Sequence, residues 1–278
     1  MNSTIDLHCH TTASDGTLAP DVLVSRAAER GVRTLAITDH DTLAGFRLAE
    51  KAAEENGIQL ISGIELSCVW GGITVHIVGL NMDPQAPSIL EAEEFQARVR
   101  DERADLIAER VGKRLKQTFD MDKVRAYAGG EAIGRPHFAR YMVDEGWVPS
   151  MAVAFSKYLG AGKPGDVKSG WPELEQVVRW IVDAGGVAVM AHAHLYKMTR
   201  TKLKACLSDF IDAGGSAIEV AYGQMDSNQR GQMAALAKEM GLMGSCGSDF
   251  HGPNRFGLDL GVMPDFPKDI PPVWTAWS

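Results

Sequence analysis

Five short apolar runs in this chain end on histidine, aspartate or glutamate, and that recurrence narrows the possible folds more than any other feature. The runs close at His8 and His10, at Asp39 and His40, at Glu65, at His192, and at Asp249 and His251. Amphipathic helical patterns lie between them, such as Pro20 to Arg30 closed by Gly31 and Thr42 to Asn56 closed by Gly57. Strands alternating with helices predict a parallel α/β barrel. In such barrels the chemistry gathers at the C-terminal ends of the strands, so these segments would deliver their polar side chains to one rim.

The rhythm is interrupted twice. Ile73 to Leu80 alternates like a strand paired antiparallel with Gln59 to Ser67 across Gly71-Gly72. From about Ser88 to Lys116 a charge-rich helical pattern follows, and shorter helical pieces come after it. Residues 97–167 therefore read as a helical insertion or lid, with 1–96 and 168–278 forming the barrel. The rhythm resumes with a helix near Pro172 to Ala184, strand Val187 to His192 and helix Lys202 to Ala213. Strand Ala217 to Ala221, helix Ser227 to Met240 and strand Leu242 to Gly244 complete it. The tail from Gly261 holds four prolines and is expected to lack a regular element.

On a strand the side-chain period is two, so His8 and His10 share a face and Cys9 points the other way. Of the eight histidines, seven lie in or beside these segments, at 8, 10, 40, 76, 192, 194 and 251. Asp15, Glu65 and Asp249 join them. A mixed set of imidazoles and carboxylates is what a divalent cation requires, and without thiolate it suits Mn, Zn or Fe. The four cysteines show no CxxC spacing and read as reduced thiols of a cytoplasmic protein without a signal peptide. The net charge of −8 argues against a surface for long nucleic acid. No apolar run approaches the ~18 residues of a membrane span.

On Asp6-Leu-His-Cys-His10, Thr38-Asp-His-Asp41, Gly63-Ile-Glu65, His76, Ala191-His192 and Gly247-Ser-Asp-Phe-His251, nearly the whole chain resembles the PHP (polymerase and histidinol phosphatase) family of metal-dependent phosphoesterases. Thr38 to Gly45, Gly134 to Arg140 and Gly247 to Pro253 resemble one branch of it. That branch contains nucleoside 3′,5′-bisphosphate phosphatases, some of which also act as 5′→3′ exoribonucleases on very short RNA. The resemblance implies a distorted (β/α)7-type PHP barrel with a small helical insertion domain. It also implies three divalent ions, Mn(II) with Zn(II) or Fe(II) as alternatives. His8, His10, Glu65 and Asp249 would hold one; Glu65, His76 and His192 a second; Asp15, His40 and His251 the third. The implied reaction is hydrolysis of a phosphomonoester, with short-RNA cleavage as the alternative. A histidinol-phosphate-type phosphatase and a non-catalytic metal-binding module are more distant readings.

His194 and Asp249 are expected to act catalytically, and Arg135, His194, Lys157 and Asp15 to meet the substrate. Where the branch commonly has proline after the strand-end histidine and arginine two residues later, this chain has Ala193 and Leu195, with His194 between them. His194 stands one strand period beyond His192, so both would face the site, and it would stand in for the missing cation. Arg135, flanked by Gly134 and Pro136, offers a guanidinium fork for a second phosphate, with Arg140 and Lys163 as weaker anion candidates. The expected partner is a small nucleotide or very short RNA, with no membrane, no long DNA, and a monomeric chain.

Overall fold

The computed structural model describes residues 3–128, 133–168, 170–253 and 258–277. Seven strands form one sheet in chain order: β1 (Ile5–Asp6), β2 (Thr34–Ile37), β3 (Gln59–Trp70), β4 (Ile73–Leu80), β5 (Val187–Met190), β6 (Ala217–Tyr222) and β7 (Met243–Gly247). All neighbours run parallel except β3–β4 and β4–β5, because β4 returns directly from β3 across Gly71 and Gly72. Both glycines have positive φ, 54° and 75°, as a tight hairpin demands.

The sheet nearly closes on itself. The Leu7 amide donates to the Cys246 carbonyl (3.1 Å), the Asp249 amide to His8 (2.8 Å) and the His10 amide to Phe250 (2.9 Å), which ties the residues after β1 to those after β7. Leu7, Ala36, Ile61, Val78, Val189 and Ala217 pack together, so strands all around the barrel fill its interior. Val273, on a short 3-10 turn (Val273–Ala276), joins that cluster beside the strand starts, so the proline-rich tail does contain one short regular element.

Helices α1 (Pro20–Glu29) and α2 (Ala44–Asn56) cover the first strands, with Gly57 ending α2 in the left-handed conformation at φ 64°. A long α3 (Pro87–Leu115) leads to α4 (Met121–Tyr127), α5 (Arg135–Asp144) and α6 (Met151–Ala154). These have an apolar cluster of their own, built on Ile107, Val111, Phe138, Met142 and Leu159. Then α7 (Leu174–Asp183), α8 (Arg200–Asp212) and α9 (Ser227–Met240) alternate with the remaining strands. No helix among the described residues is long and apolar enough to cross a membrane.

Three strands differ most from expectation, one of them β7, which runs on to Gly247 instead of stopping at Gly244. β3 continues to Trp70 because its partner β4 pairs along its full length. β5 stops at Met190 because His192 takes a left-handed conformation at φ 29°.

Candidate metal centre and anion cavity

Each polar side chain reaches the rim by a simple route. His8 and His10 follow β1, and a bridge joins His40, just beyond β2, to Glu65 in the middle of β3. Ser67 pairs with His76 across β3–β4, and the period of two puts Glu65 on the same face. Because β4 runs in reverse, His76 lies near its beginning yet stands beside the C-terminal ends of the other strands.

The first expected set is tightly gathered. His8 Nε2 lies 3.2 Å from His10 Nε2, and both are 3.4 Å from Glu65 Oε2. Asp249 Oδ1 is 3.4 Å from His8 Nε2 and 3.1 Å from His10 Nε2. The other Glu65 oxygen, Oε1, faces His76 Nδ1 at 3.0 Å and His192 Nε2 at 2.9 Å. Asp15 Oδ1 is 3.2 Å from His251 Nε2, and its Oδ2 is 3.8 Å from His40 Nε2. The partition between sets is less clean than the resemblance implies. His40 Nδ1 also lies 2.9 Å from Glu65 Oε2, and His10 Nδ1 is 3.9 Å from Asp15. The tight turns that bring the nine side chains together make both rings bridge adjacent groups.

The donor chemistry fits divalent cations. His10 Nδ1, Asp15 Oδ1, His40 Nδ1 and Glu65 Oε2 are buried and make no hydrogen bond among the described residues. Each such atom costs about 1–3 kcal/mol when left without a partner, and convergence of several suggests a shared one. Burial raises the carboxyls of Glu65, Asp15 and Asp249, but the surrounding imidazoles outweigh it and hold all three well below the usual carboxylate range. Burial, and then the charge of His251, pushes His10 down to about 3, so its ring is neutral and has a lone pair to offer.

Several contributors were not visible in the sequence reading. Glu219, a lone acid in the otherwise apolar strand Ala-Ile-Glu-Val-Ala-Tyr, is buried at 1% exposure. Its Oε1 lies 2.7 Å from His8 Nδ1, and its Oε2 accepts the His192 amide at 2.5 Å. The Tyr222 hydroxyl donates to Asp249 Oδ2 at 2.6 Å. Asp39, which shared a segment with His40, turns instead to the Thr11 amide and the hydroxyls of Thr11 and Ser14.

Next to the cluster is a cavity bordered by Asp15, His40 and His76 on one side and Arg100, Arg103, Arg135 and Trp171 on the other. Arg135 begins α5, as Gly134 and Pro136 suggested, and its Nη1 donates to the Leu159 carbonyl (3.1 Å) and lies 3.7 Å from Asp166. Arg100 and Arg103 were submerged in the charge-rich run; their i, i+3 spacing is the signal that could have paired them. Arg100 is clamped by Asp41, whose Oδ2 accepts from Nε at 2.7 Å. Arg103 donates Nε (2.8 Å) and Nη2 (2.5 Å) to the Val167 carbonyl, and its guanidinium sits 3.9 Å from the Trp171 ring centre. Burial first, and then Arg100 and Arg135, push the Arg103 guanidinium down to about 9, a direction that an incoming anion would reverse.

Two expected site residues lie off this cavity wall. Residues 193–195 form a 3-10 turn, so the strand period that was to align His194 with His192 does not operate. His194 packs edge-on against Tyr222, ring centres 4.8 Å apart, and lines a separate cavity with Met198, Gln229 and Met233. Lys157 lies on a π-turn (Phe155–Leu159) and is exposed. Arg140 and Lys163 are exposed as well.

Residues 6–110 match the family model described as the PHP domain. Over 271 residues, 97% of this chain and 95% of the relative, the sequence is 43% identical to the 3′,5′-nucleoside bisphosphate phosphatase of Chromobacterium violaceum. Over 275 residues, 98% of this chain and 93% of the relative, it is 43% identical to the 5′-3′ exoribonuclease Rnm of Escherichia coli. A solved structure of an amidohydrolase from Chromobacterium violaceum, with bound sulfate and no metal, matches with a TM-score of 0.91. That match is 41% identical and covers 99% of this chain and 96% of the other.

Proposed function

As this chain belongs to the PHP family, we propose that it is a metal-dependent phosphomonoesterase acting on nucleoside 3′,5′-bisphosphates, releasing the 3′-phosphate and leaving a nucleoside 5′-phosphate. The observation that carries this reading is the adjacency of two anion-binding devices: the donor cluster, which borders the cavity through Asp15, His40 and His76, and the wall of Arg100, Arg103 and Arg135 across from it. The first suits the scissile phosphate and the second a phosphate that is only held.

His8, His10, Glu65 and Asp249 would hold one divalent ion, Glu65, His76 and His192 a second, and Asp15, His40 and His251 a third, with Mn(II) favoured over Zn(II) or Fe(II). Bound there, such ions would neutralise the phosphoryl oxygens and lower the pKa of the attacking water. The protein supplies orientation. Glu219 is placed to accept the Nδ1 proton of His8, which would leave Nε2 as the atom that binds a cation in place of its proton. Tyr222 occupies one Asp249 oxygen and leaves Oδ1 turned toward His8 and His10. On the opposite wall Asp41 and the Ile133 carbonyl fix Arg100, while Arg103 has a carbonyl and a ring but no carboxylate at hydrogen-bond distance among the described residues. Arg103 and Arg135 would therefore anchor the 5′-phosphate. In this division of labour residues 97–167 act as a recognition lid, and residues 1–96 and 168–278 carry the metal centre.

Cleavage of short 5′-phosphorylated RNA is a second reading, favoured by the similarity to the Escherichia coli exoribonuclease. The same anchored 5′-phosphate and the same cut at the 3′-oxygen serve both reactions. Product release from adenosine 3′,5′-bisphosphate, histidinol phosphate and a 5′-phosphorylated trinucleotide, with and without Mn(II), tests the assignment. Mn-dependent phosphate release from the bisphosphate is expected. Turnover of none of the three would overturn it.

A further inference from the structure

Trp171 is the one phenyl- or indole-bearing side chain on the cavity wall among the described residues, and neither proposed phosphate site accounts for it. It is half-buried and enters just before Pro172, whose carbonyl accepts the Val69 amide at 2.9 Å and so fixes this stretch to β3. Arg103 stacks on the ring with its guanidinium carbon 3.9 Å from the centre, and Arg100 lies 5.5 Å away. Both arginines project from one face of α3, three residues apart, and both guanidinium groups reach the indole. The ring borders a cavity whose other walls are mostly polar, with Asp15, His40, His76, Arg135 and Asp166 among them. A flat apolar surface in such a setting offers nothing to a phosphate and much to a planar, weakly polar group.

We infer that Trp171 is the nucleobase platform, the residue that makes this site prefer a nucleotide over a base-free sugar bisphosphate. The inference rests on the bisphosphatase reading and adds to it the third part of the substrate. Arg103 then has two contacts at once, the indole on its face and the 5′-phosphate at its edge, which couples recognition of base and phosphate.

The test compares Trp171→Leu and Trp171→Phe with the unaltered enzyme on adenosine 3′,5′-bisphosphate and on its base-free ribose counterpart. With leucine, KM for the nucleotide should rise about ten-fold while kcat stays within two-fold, and KM for the base-free substrate should rise several-fold less. Phenylalanine should recover most of the loss. Equal losses on both substrates would show that the indole only holds Arg103, and no loss on either would remove it from recognition; each result overturns the inference. Calorimetric binding of AMP against ribose 5-phosphate gives a readout independent of turnover. If the unaltered enzyme hydrolyses neither bisphosphate, the phosphatase reading fails by itself. Trp171 is then judged by whether the leucine variant loses the preference for AMP, and an unchanged preference overturns it.

Discussion

His8 Nδ1 lies 2.7 Å from Glu219 Oε1, with both side chains shut away from solvent. The second oxygen of the same carboxylate holds the amide of His192, a residue in the left-handed region at φ 29°. One acid on β6 thus fixes the tautomer of one proposed ligand and the strained backbone of another. Glu219→Gln keeps the shape but replaces one acceptor oxygen with a donor. Metal affinity should fall by about 10- to 100-fold, with activity following occupancy. Titration of the metal-free variant with Mn(II) checks this, and unchanged affinity would reduce Glu219 to a packing role.

His8 and Asp15 sit at opposite ends of the donor cluster. The His8 ring faces Glu65 and Asp249, whereas Asp15 faces His40 and His251. His8→Ala and Asp15→Ala should each lower metal content, and the two should remove different ions. Glu65→Ala, which strips both oxygens from the centre, should remove more than either. Metal analysis with anomalous diffraction on each variant decides the matter. Loss of the same single ion in both would defeat the three-site assignment.

Of the three cavity arginines, Arg100 forms an ion pair with Asp41 and Arg135 with Asp166, whereas Arg103 has no carboxylate ion pair among the described residues. Arg103→Gln should lower kcat/KM for adenosine 3′,5′-bisphosphate by about 10- to 100-fold, the range for a lost charge-assisted hydrogen bond. Adenosine 3′-phosphate has no 5′-phosphate to anchor and should be affected much less. Equal losses on the two substrates would contradict a dedicated second-phosphate site.

Metal binding should be linked to protons through His251. Burial lowers its affinity for a proton, but Asp15 and Asp249 raise it further and bring the ring up to about 10. The unfolded value is about 6.5, so the metal-free protein gains stability from this group below pH ~6.5 and loses it as the pH rises toward about 10. A cation must displace that proton. Affinity should therefore increase with pH across this window, and the calorimetric enthalpy should vary with the ionisation heat of the buffer. An enthalpy independent of the buffer would show that no proton leaves. Chelation should lower the Tm, since bound ions stabilise only the folded state.

The sequence by itself determined the barrel and its donors. Local periodicity set the strands and helices, Gly71-Gly72 set the hairpin, and the two-residue spacing of His8 and His10 set their shared face, because each is decided within a few residues of backbone. The placement of His8, His10, His40, His192, Asp249 and His251 beyond strand ends was legible for the same reason, whereas Glu65 lies inside β3, His76 near the start of β4 and Asp15 in the loop after β1. Only the tertiary structure decided what lies behind and across from them. Glu219 acquires meaning by meeting His8 from 211 positions away, and Arg100 and Arg103 become a cavity wall only when α3 packs across the rim. His194 failed in the opposite direction: its spacing implied a shared face, but the backbone had already left the sheet at His192. Short-range patterns report what a side chain is and which way its own element turns it. Long-range packing chooses its neighbours, and those neighbours fix protonation, orientation and partner.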